Sequence, residues 1–343
     1  MFHRIKSFRP LAMAAIVAVS ACLAAPTAAL AKPVKMRLGH IFAIDSPIDQ
    51  ASKAFADRVR ERTNGEIDIA VFPNSQIGGD EALARDISRG SVELAFLNPG
   101  SLSGLDPLLD FHYLPYIATN FEEVDKIFYN PEGVLQKTIT ETMLKQRIRP
   151  IGFFELEFRA VTNSKHAVSE PGDLRGLKIR VPGSAVIREF FIESGAQAVT
   201  MPFPELFTAL QQGTIDGQDN GPSLTHNSRL FEAQKFMTNT NHVYAMGAIT
   251  VSQRVWDRMS EENRQIFLDT AAEVAAEEIA LNRKVSVEYL KNIENGGVKV
   301  QSLTPEALKN FQEVAERVWV KMEPVYGKER VDALREEVNS IRN

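Results

Sequence analysis

Two arginines stand in apolar company, Arg159 within "EFRAVTN" and Arg180 within "LKIRVP". A guanidinium inside a strand-like run must snorkel to solvent or be paired, because an uncompensated buried charge is costly. An ion pair with Glu155, Glu157, Asp216 or Asp219 would serve the fold. A bound carboxylate, gripped through both oxygens by the planar fork of the guanidinium, would serve recognition. A second anomaly lies between 213 and 220, "GTIDGQDN". An amphipathic helix over 204–212, with Leu206, Phe207 and Leu210 on one side, gives way to Asp216, Gly217, Gln218, Asp219 and Asn220 where a buried strand should continue.

Motifs for other chemistry are missing from the sequence. "GSLSG" at 100–104 sets serines at the second and fourth positions instead of the third, so it is not a nucleophile elbow. There is no HExxH, GxGxxG, Walker loop or cysteine pair, and the histidines beyond residue 31 are scattered singly. No catalytic residue, metal site or cofactor is expected. Asp216 and Asp219 could pair as acid and base in an exported hydrolase. Carboxylates at an exposed strand end more often act as hydrogen-bond acceptors.

The elements that must position these residues read as two copies of one plan. "VKMRLGH" at 34–40 reads as a strand, and a helix follows with Ser46 as N-cap, Pro47 in the first turn and Ile48, Ala51, Phe55 and Val59 on one face. A strand over 66–72, a helix over 80–89 stopped by Gly90, and a strand "SVELAFL" complete the unit. From 177 the order repeats: strand "LKIRVP", helix 184–194, Gly195, strand "AQAVTMP", helix 204–212, Gly213. Placing Gly90 on Gly213 aligns "GSVEL" with "GTIDG". Two β-α-β-α-β units predict a two-lobed α/β protein with mainly parallel sheets flanked by helices. Open sheets of this kind bind ligands at the carboxyl ends of their strands. Those ends are Arg180 and "DGQDN" in one unit, and His40, the "FPNSQIGGD" loop and Asn98 in the other. From Ser260 a long uninterrupted helix, on the order of 50 Å at 1.5 Å per residue, should lie across both lobes.

The N-terminus carries Arg4, Lys6 and Arg9, an apolar run and "ALAK", the pattern of a cleavable export signal over 1–31. "VSAC" leaves lipoprotein anchoring at Cys22 as an alternative; otherwise the mature chain has no cysteine and no disulfide. Removing 1–31 takes away three basic and no acidic residues, and the formal charge moves from −5 to −8. That balance disfavours nucleic acid and anionic membranes as partners.

"VFPNSQIGGD", "RAVTNS", "GDLRGLKIRVP" and "AVTMPFPELFTALQQGTIDGQDN", in this order, resemble the periplasmic solute-binding proteins of TRAP transporters, the DctP-like family. The resemblance covers essentially the whole mature chain. It implies a periplasmic-binding-protein-like fold that closes on a small organic acid and delivers it to the two membrane subunits of an ion-gradient-driven permease, with no catalytic activity. It places the two-pronged carboxylate bond on Arg180, its support on Arg159, and further ligand contacts on Asn220 and Phe203 from one lobe and His40, Asp80 and Asn98 from the other. The expected lobes are 32–156 with about 246–285, and 157–245 with about 286–343. Many uronate-binding relatives have Asn-Gly where this chain has Leu156 and Glu157, a departure that leaves the ligand undecided. Glu155 and Glu157 could accept ligand hydroxyls or an ammonium, or pair with the arginines. The ligand stays open among a sugar acid, which is favoured, a C4-type dicarboxylate, and a 2-oxo or aromatic acid. A monomer in the periplasm is expected; a module reporting to a sensor protein is the alternative partner arrangement.

Overall fold

The computed structural model describes residues 32–342 together with Met1; the expected export signal and Cys22 lie outside the described residues. The first unit is β1 (Val34–Gly39), α1 (Pro47–Arg62), β2 (Ile67–Phe72), α2 (Asp80–Arg89) and β3 (Leu94–Leu97). Its punctuation is chemical. The Ser46 hydroxyl accepts the Asp49 amide to start α1, and Gly90 takes the left-handed φ of 75° that ends α2. α3 (Phe121–Ile127) and α4 (Val134–Lys145) lead to the long strand β4 (Ile148–Phe158), and a single residue, Arg159, separates it from β5 (Ala160–Asn163).

The second unit is β6 (Lys178–Val181), α5 (Ala185–Glu193), β7 (Gln197–Thr200), α6 (Leu206–Gln211) and β8 (Gly217–Asn220). α7 (Pro222–Asn227), β9 (Phe236–Asn239), β10 (Tyr244–Ser252), α8 (Gln253–Trp256), α9 (Glu261–Asn295), β11 (Lys299–Ser302), α10 (Pro305–Tyr326) and α11 (Lys328–Arg342) complete the chain. The parallel triplets β2-β1-β3 and β7-β6-β8 have the same spatial order. This is the duplication that the alignment of Gly90 with Gly213 predicts. Antiparallel strands then widen each triplet into a mixed sheet, β2-β1-β3-β10-β4 in one lobe and β11-β9-β5-β8-β6-β7 in the other.

The two sheets share their connections. β4 leaves the first sheet and becomes β5 of the second; β9 leaves the second and becomes β10 of the first. α9, with 35 residues, ties both lobes: Arg62 and Arg58 of α1 reach Glu273 and Glu277 at 2.7 Å, and farther along Asn282 accepts the Ser223 hydroxyl of α7 at 2.8 Å. One apolar core gathers Leu38, Phe55, Phe96, Phe154 and Phe267. Another gathers Ile179, Phe190, Phe311 and Trp319, and takes in Phe111, Leu114, Phe128 and Leu135. Those last four precede residue 157, yet they pack with the second sheet, because α3 and α4 are tied to α11 through Glu123–Arg342 and the Val134 amide to Glu337.

Where β4 departs, three buried carboxyls meet. Glu155 accepts from Tyr244, Arg283 and Asn282, at 3.0, 2.7 and 3.4 Å. Glu157, at a left-handed φ of 69°, accepts the Ser223 amide and hydroxyl and the Leu224 amide. Glu278 accepts the Glu155 amide at 2.9 Å, while its other oxygen is buried without a partner. Neither Glu155 nor Glu157 pairs with Arg159 or Arg180; both hold the junction between lobes. Burial raises Glu157 to about 8 and pushes Glu278 well above the ordinary carboxyl range.

A carboxyl raised in the folded state stabilises it while protonated and loses that contribution as pH rises through the folded value. The buried histidines His40 and His112, lowered by burial to about 4 and about 3, act with the opposite sign, but only below their ordinary 6.5. Between pH 6.5 and about 8 the carboxyls govern, so the thermal midpoint should fall across that window. Glu157→Gln should flatten the fall in a melting series; an unchanged slope would assign the titration elsewhere.

Candidate functional site

The polar run is a strand after all. β8 lies inside the second sheet between β5 and β6, and all four of its residues are buried. It is therefore no exposed strand end. Its side chains find partners there: Gln218 donates to Thr162 Oγ1 at 2.9 Å, Asn220 donates to Gln218 Oε1, and Asp219 accepts from Arg159. Gly217 is required by the close approach of β5, since a Cβ would stand 2.1 Å from the Thr162 carbonyl oxygen.

Arg159, 3 % exposed at the β4–β5 junction, donates from Nε to Asp219 Oδ2 at 2.7 Å and from Nη2 to the Asp219 carbonyl. His242 stands behind the same carboxylate, Nε2 3.4 Å from Oδ2, its Nδ1 bonded to Thr240 and its ring stacked on Phe190. Burial would raise the Asp219 carboxyl, but the Arg159 charge and the His242 contact overturn this and hold it below its usual range.

Arg180 is buried to 2 % exposure near the end of β6 and is treated differently. Its Nε donates to the Met201 carbonyl at 2.9 Å, and its guanidinium carbon lies 5.9 Å from the Phe203 ring centre. Neither Nη group has an acceptor among the described residues. Burial pulls it down to about 10, with Asp219 resisting and Arg159 adding to the fall.

From the first lobe come Asn98 and Asp80. Tyr113, packed in the second lobe's core, donates its hydroxyl to Asn98 Oδ1 at 2.6 Å, and the Arg159 guanidinium lies 5.6 Å from its ring centre. The Asn98 backbone N–H donates to Asp80 Oδ1 at 3.3 Å. Burial, reinforced by neighbouring Glu81, raises Asp80 to about 8. Gly100 leaves room for Tyr113, whose ring carbon would be 2.1 Å from a Cβ. The lobes also touch directly: Ser103 donates its amide and hydroxyl to the Gly183 carbonyl at 3.2 and 2.9 Å, and Gly79 backs onto Pro204. The "GSLSG" serines thus serve an interlobe contact.

Pairwise contacts bring these residues near one another: Arg180 lies by Phe203 and within electrostatic reach of Arg159, Asp219 and Asp80, Arg159 lies by Tyr113, and Asn98 joins Tyr113 to Asp80, with Asn220 following Asp219 on β8. His40 faces the other way. Its ring is fully buried against α1, with Nε2 3.1 Å from Ser52 and 3.4 Å from Asp49, and burial lowers it to about 4. Sequence reading missed Tyr113, Glu81, Ser103 and Gly183. Tyr113 lies in an aromatic run, "DFHYLPY", that reads as core, and nothing in its spacing pointed to Arg159.

Two duplicated α/β lobes joined by two crossing strand connections and a shared long helix are the architecture of a two-lobed solute-binding protein. The family model "bacterial extracellular solute-binding protein, family 7" (DctP) matches residues 38–324, and the chain belongs to that family. It is similar to the C4-dicarboxylate-binding periplasmic protein DctP of Rhodobacter capsulatus, with 28 % identity over 94 % of this chain and 96 % of that one. It is also similar to the 2,3-diketo-L-gulonate-binding periplasmic protein YiaO of Escherichia coli, with 27 % identity over 73 % and 75 %. Among solved structures, the sugar acid binding protein DctPAm of Advenella mimigardefordensis in complex with galactonate superposes with a TM-score of 0.86 at 30 % identity, covering 90 % of this chain and 99 % of that one.

The two arginines should respond oppositely to loss of charge. Asp219→Ala strands Arg159 in the interior and should cost about 3–5 kcal/mol in denaturant unfolding. Arg180→Ala removes a cation that has no protein counter-charge in contact and should cost no more than about 1 kcal/mol. Equal losses would contradict the assignment.

Proposed function

We propose that the protein is the extracytoplasmic receptor of a TRAP transporter, capturing a small organic acid, a sugar acid foremost, and delivering it to an ion-gradient-driven permease. The observation that carries this reading is the Arg180 fork, buried yet without a protein acceptor. A ligand carboxylate supplies two charge-assisted hydrogen bonds there and the missing counter-charge. Arg159, held rigid by Asp219, adds a second donor from the side, and Phe203 covers the apolar face of the ligand. Asn98 and Asp80 meet the far end of the ligand. Contacts from both lobes favour the closed state by the difference in binding energy between closed and open forms.

No catalytic step belongs to this reading. Asp219, the acid that a hydrolase would need, is committed to Arg159 and His242. The chain acts as a monomer in the periplasm, addressed there by the export signal over 1–31.

Thermal unfolding against a panel of sugar acids, dicarboxylates, 2-oxo acids and aromatic acids tests the proposal. A ligand at 100 times its Kd adds about 2.7 kcal/mol. Arg180→Ala should weaken binding at least about 100-fold, from the loss of two charge-assisted hydrogen bonds. Arg180→Lys, which keeps charge but not the fork, should recover only part. Undiminished affinity in Arg180→Ala would sink the clamp.

A further inference from the structure

The two walls of the cleft carry opposite charge. The second lobe presents Arg180 and Arg159, of which only Arg159 is neutralised, by Asp219. The first lobe presents Asp80 and Glu81, the opening residues of α2. Glu81 forms no ion pair among the described residues, and its carboxylate reaches the second lobe: Oε1 lies 3.3 Å from the place a Cβ on Gly183 would occupy. The nearest base on the same helix, Arg85, is one turn on and exposed. The amino end of α2, otherwise friendly to anions, already carries these two acidic side chains in its first turn.

Asp80 reports what a carboxylate experiences on that wall. It has the Asn98 amide as a donor and Arg180 across the cleft, yet burial and Glu81 keep it from ionising until about pH 8. A second carboxylate brought by a ligand would meet the same low dielectric and the same Glu81 charge.

Hydroxyl groups meet no such obstacle. Tyr113 occupies Asn98 Oδ1, while the side-chain nitrogen Nδ2 of Asn98 has no partner among the described residues and is free to donate. Asp80, protonated near neutral pH, offers an O–H on the same wall, and Glu81 offers an acceptor carboxylate. A wall of donors beside an acceptor matches groups that both give and take hydrogen bonds. An ammonium, which only donates, would leave Asn98 unsatisfied.

Resting on the receptor reading above, we infer that Glu81, with Asp80 beside it, is a charge filter that restricts this cleft to monocarboxylates bearing hydroxyl groups and excludes acids with a carboxylate at both ends. Discrimination comes from the repulsive element as much as from the clamp.

Matched aldonate and aldarate pairs isolate the filter, because each pair differs only in having a terminal hydroxymethyl or a second carboxylate. Titration calorimetry on the purified protein would compare galactonate with galactarate, gluconate with glucarate, and erythronate with meso-tartrate, alongside succinate. At least one aldonate should bind, with its aldarate partner weaker by about 30-fold or more, since like charges placed together are costly. Glu81→Gln should narrow that gap about tenfold or more, chiefly by strengthening the aldarate, a gain that misfolding cannot mimic. Asp80→Asn supplies an independent second variant and should narrow it less, because Asp80 is already largely protonated near neutral pH. Succinate or an aldarate binding the unaltered protein as tightly as the aldonate would overturn the filter while leaving the receptor reading intact. A gap that both variants leave unchanged would also overturn it. Failure of every mono- and dicarboxylate to bind would overturn the receptor reading itself.

Discussion

Two guanidinium groups are buried close together with one carboxylate committed between them, and the arrangement of the cleft follows from that imbalance. Asp219 satisfies Arg159 through side chain and backbone and is itself backed by His242. Arg180 is left with a backbone carbonyl, a phenylalanine ring and an unpaired fork. Burying a charge without compensation is tolerated only where the surrounding structure enforces it. Here the enforcing structure is the second sheet: β6 carries Arg180, β8 carries Asp219, and Arg159 is the hinge residue between β4 and β5.

Arg159 also stands at the crossing between the lobes, adjacent in sequence to strands that belong to different sheets. Behind it, Glu155 takes the one nearby arginine, Arg283, while Glu157 and one oxygen of Glu278 accept from neutral donors and the other Glu278 oxygen has no partner. The junction is thus polar, built on Glu155, Glu157 and Glu278 with Glu157 at positive φ.

Much of the fold was legible in the sequence because its punctuation is local. Ser46 and Ser260 each cap the helix expected after them, and Gly90, Gly195 and Gly213 each take positive φ after one. The repeat of that punctuation gave the duplicated parallel triplets. Partners brought together by distant crossings were not legible. The 111–135 segment packs with the second sheet through α11, more than 200 residues later in the chain. β8 looked too polar for a buried strand because hydropathy cannot register that Thr162, Thr225 and Arg159 would be waiting for its side chains. Of the candidate site, the arginines were conspicuous as charges in apolar runs. The turn of His40 toward Asp49 was not, since its alternation along β1 does not say which neighbour its ring will meet.

The central claim is that the unpaired Arg180 fork is a carboxylate seat, and the crystal structure of the protein saturated with galactonate, or with whichever acid binds tightest, tests it most directly. The account places both carboxylate oxygens on the two Nη groups of Arg180, with a third donor from Arg159, and turns the hydroxylated end toward Asn98 and Asp80. A carboxylate seated elsewhere, or an Arg180 fork that pairs with a protein group while the acid is bound, would contradict it.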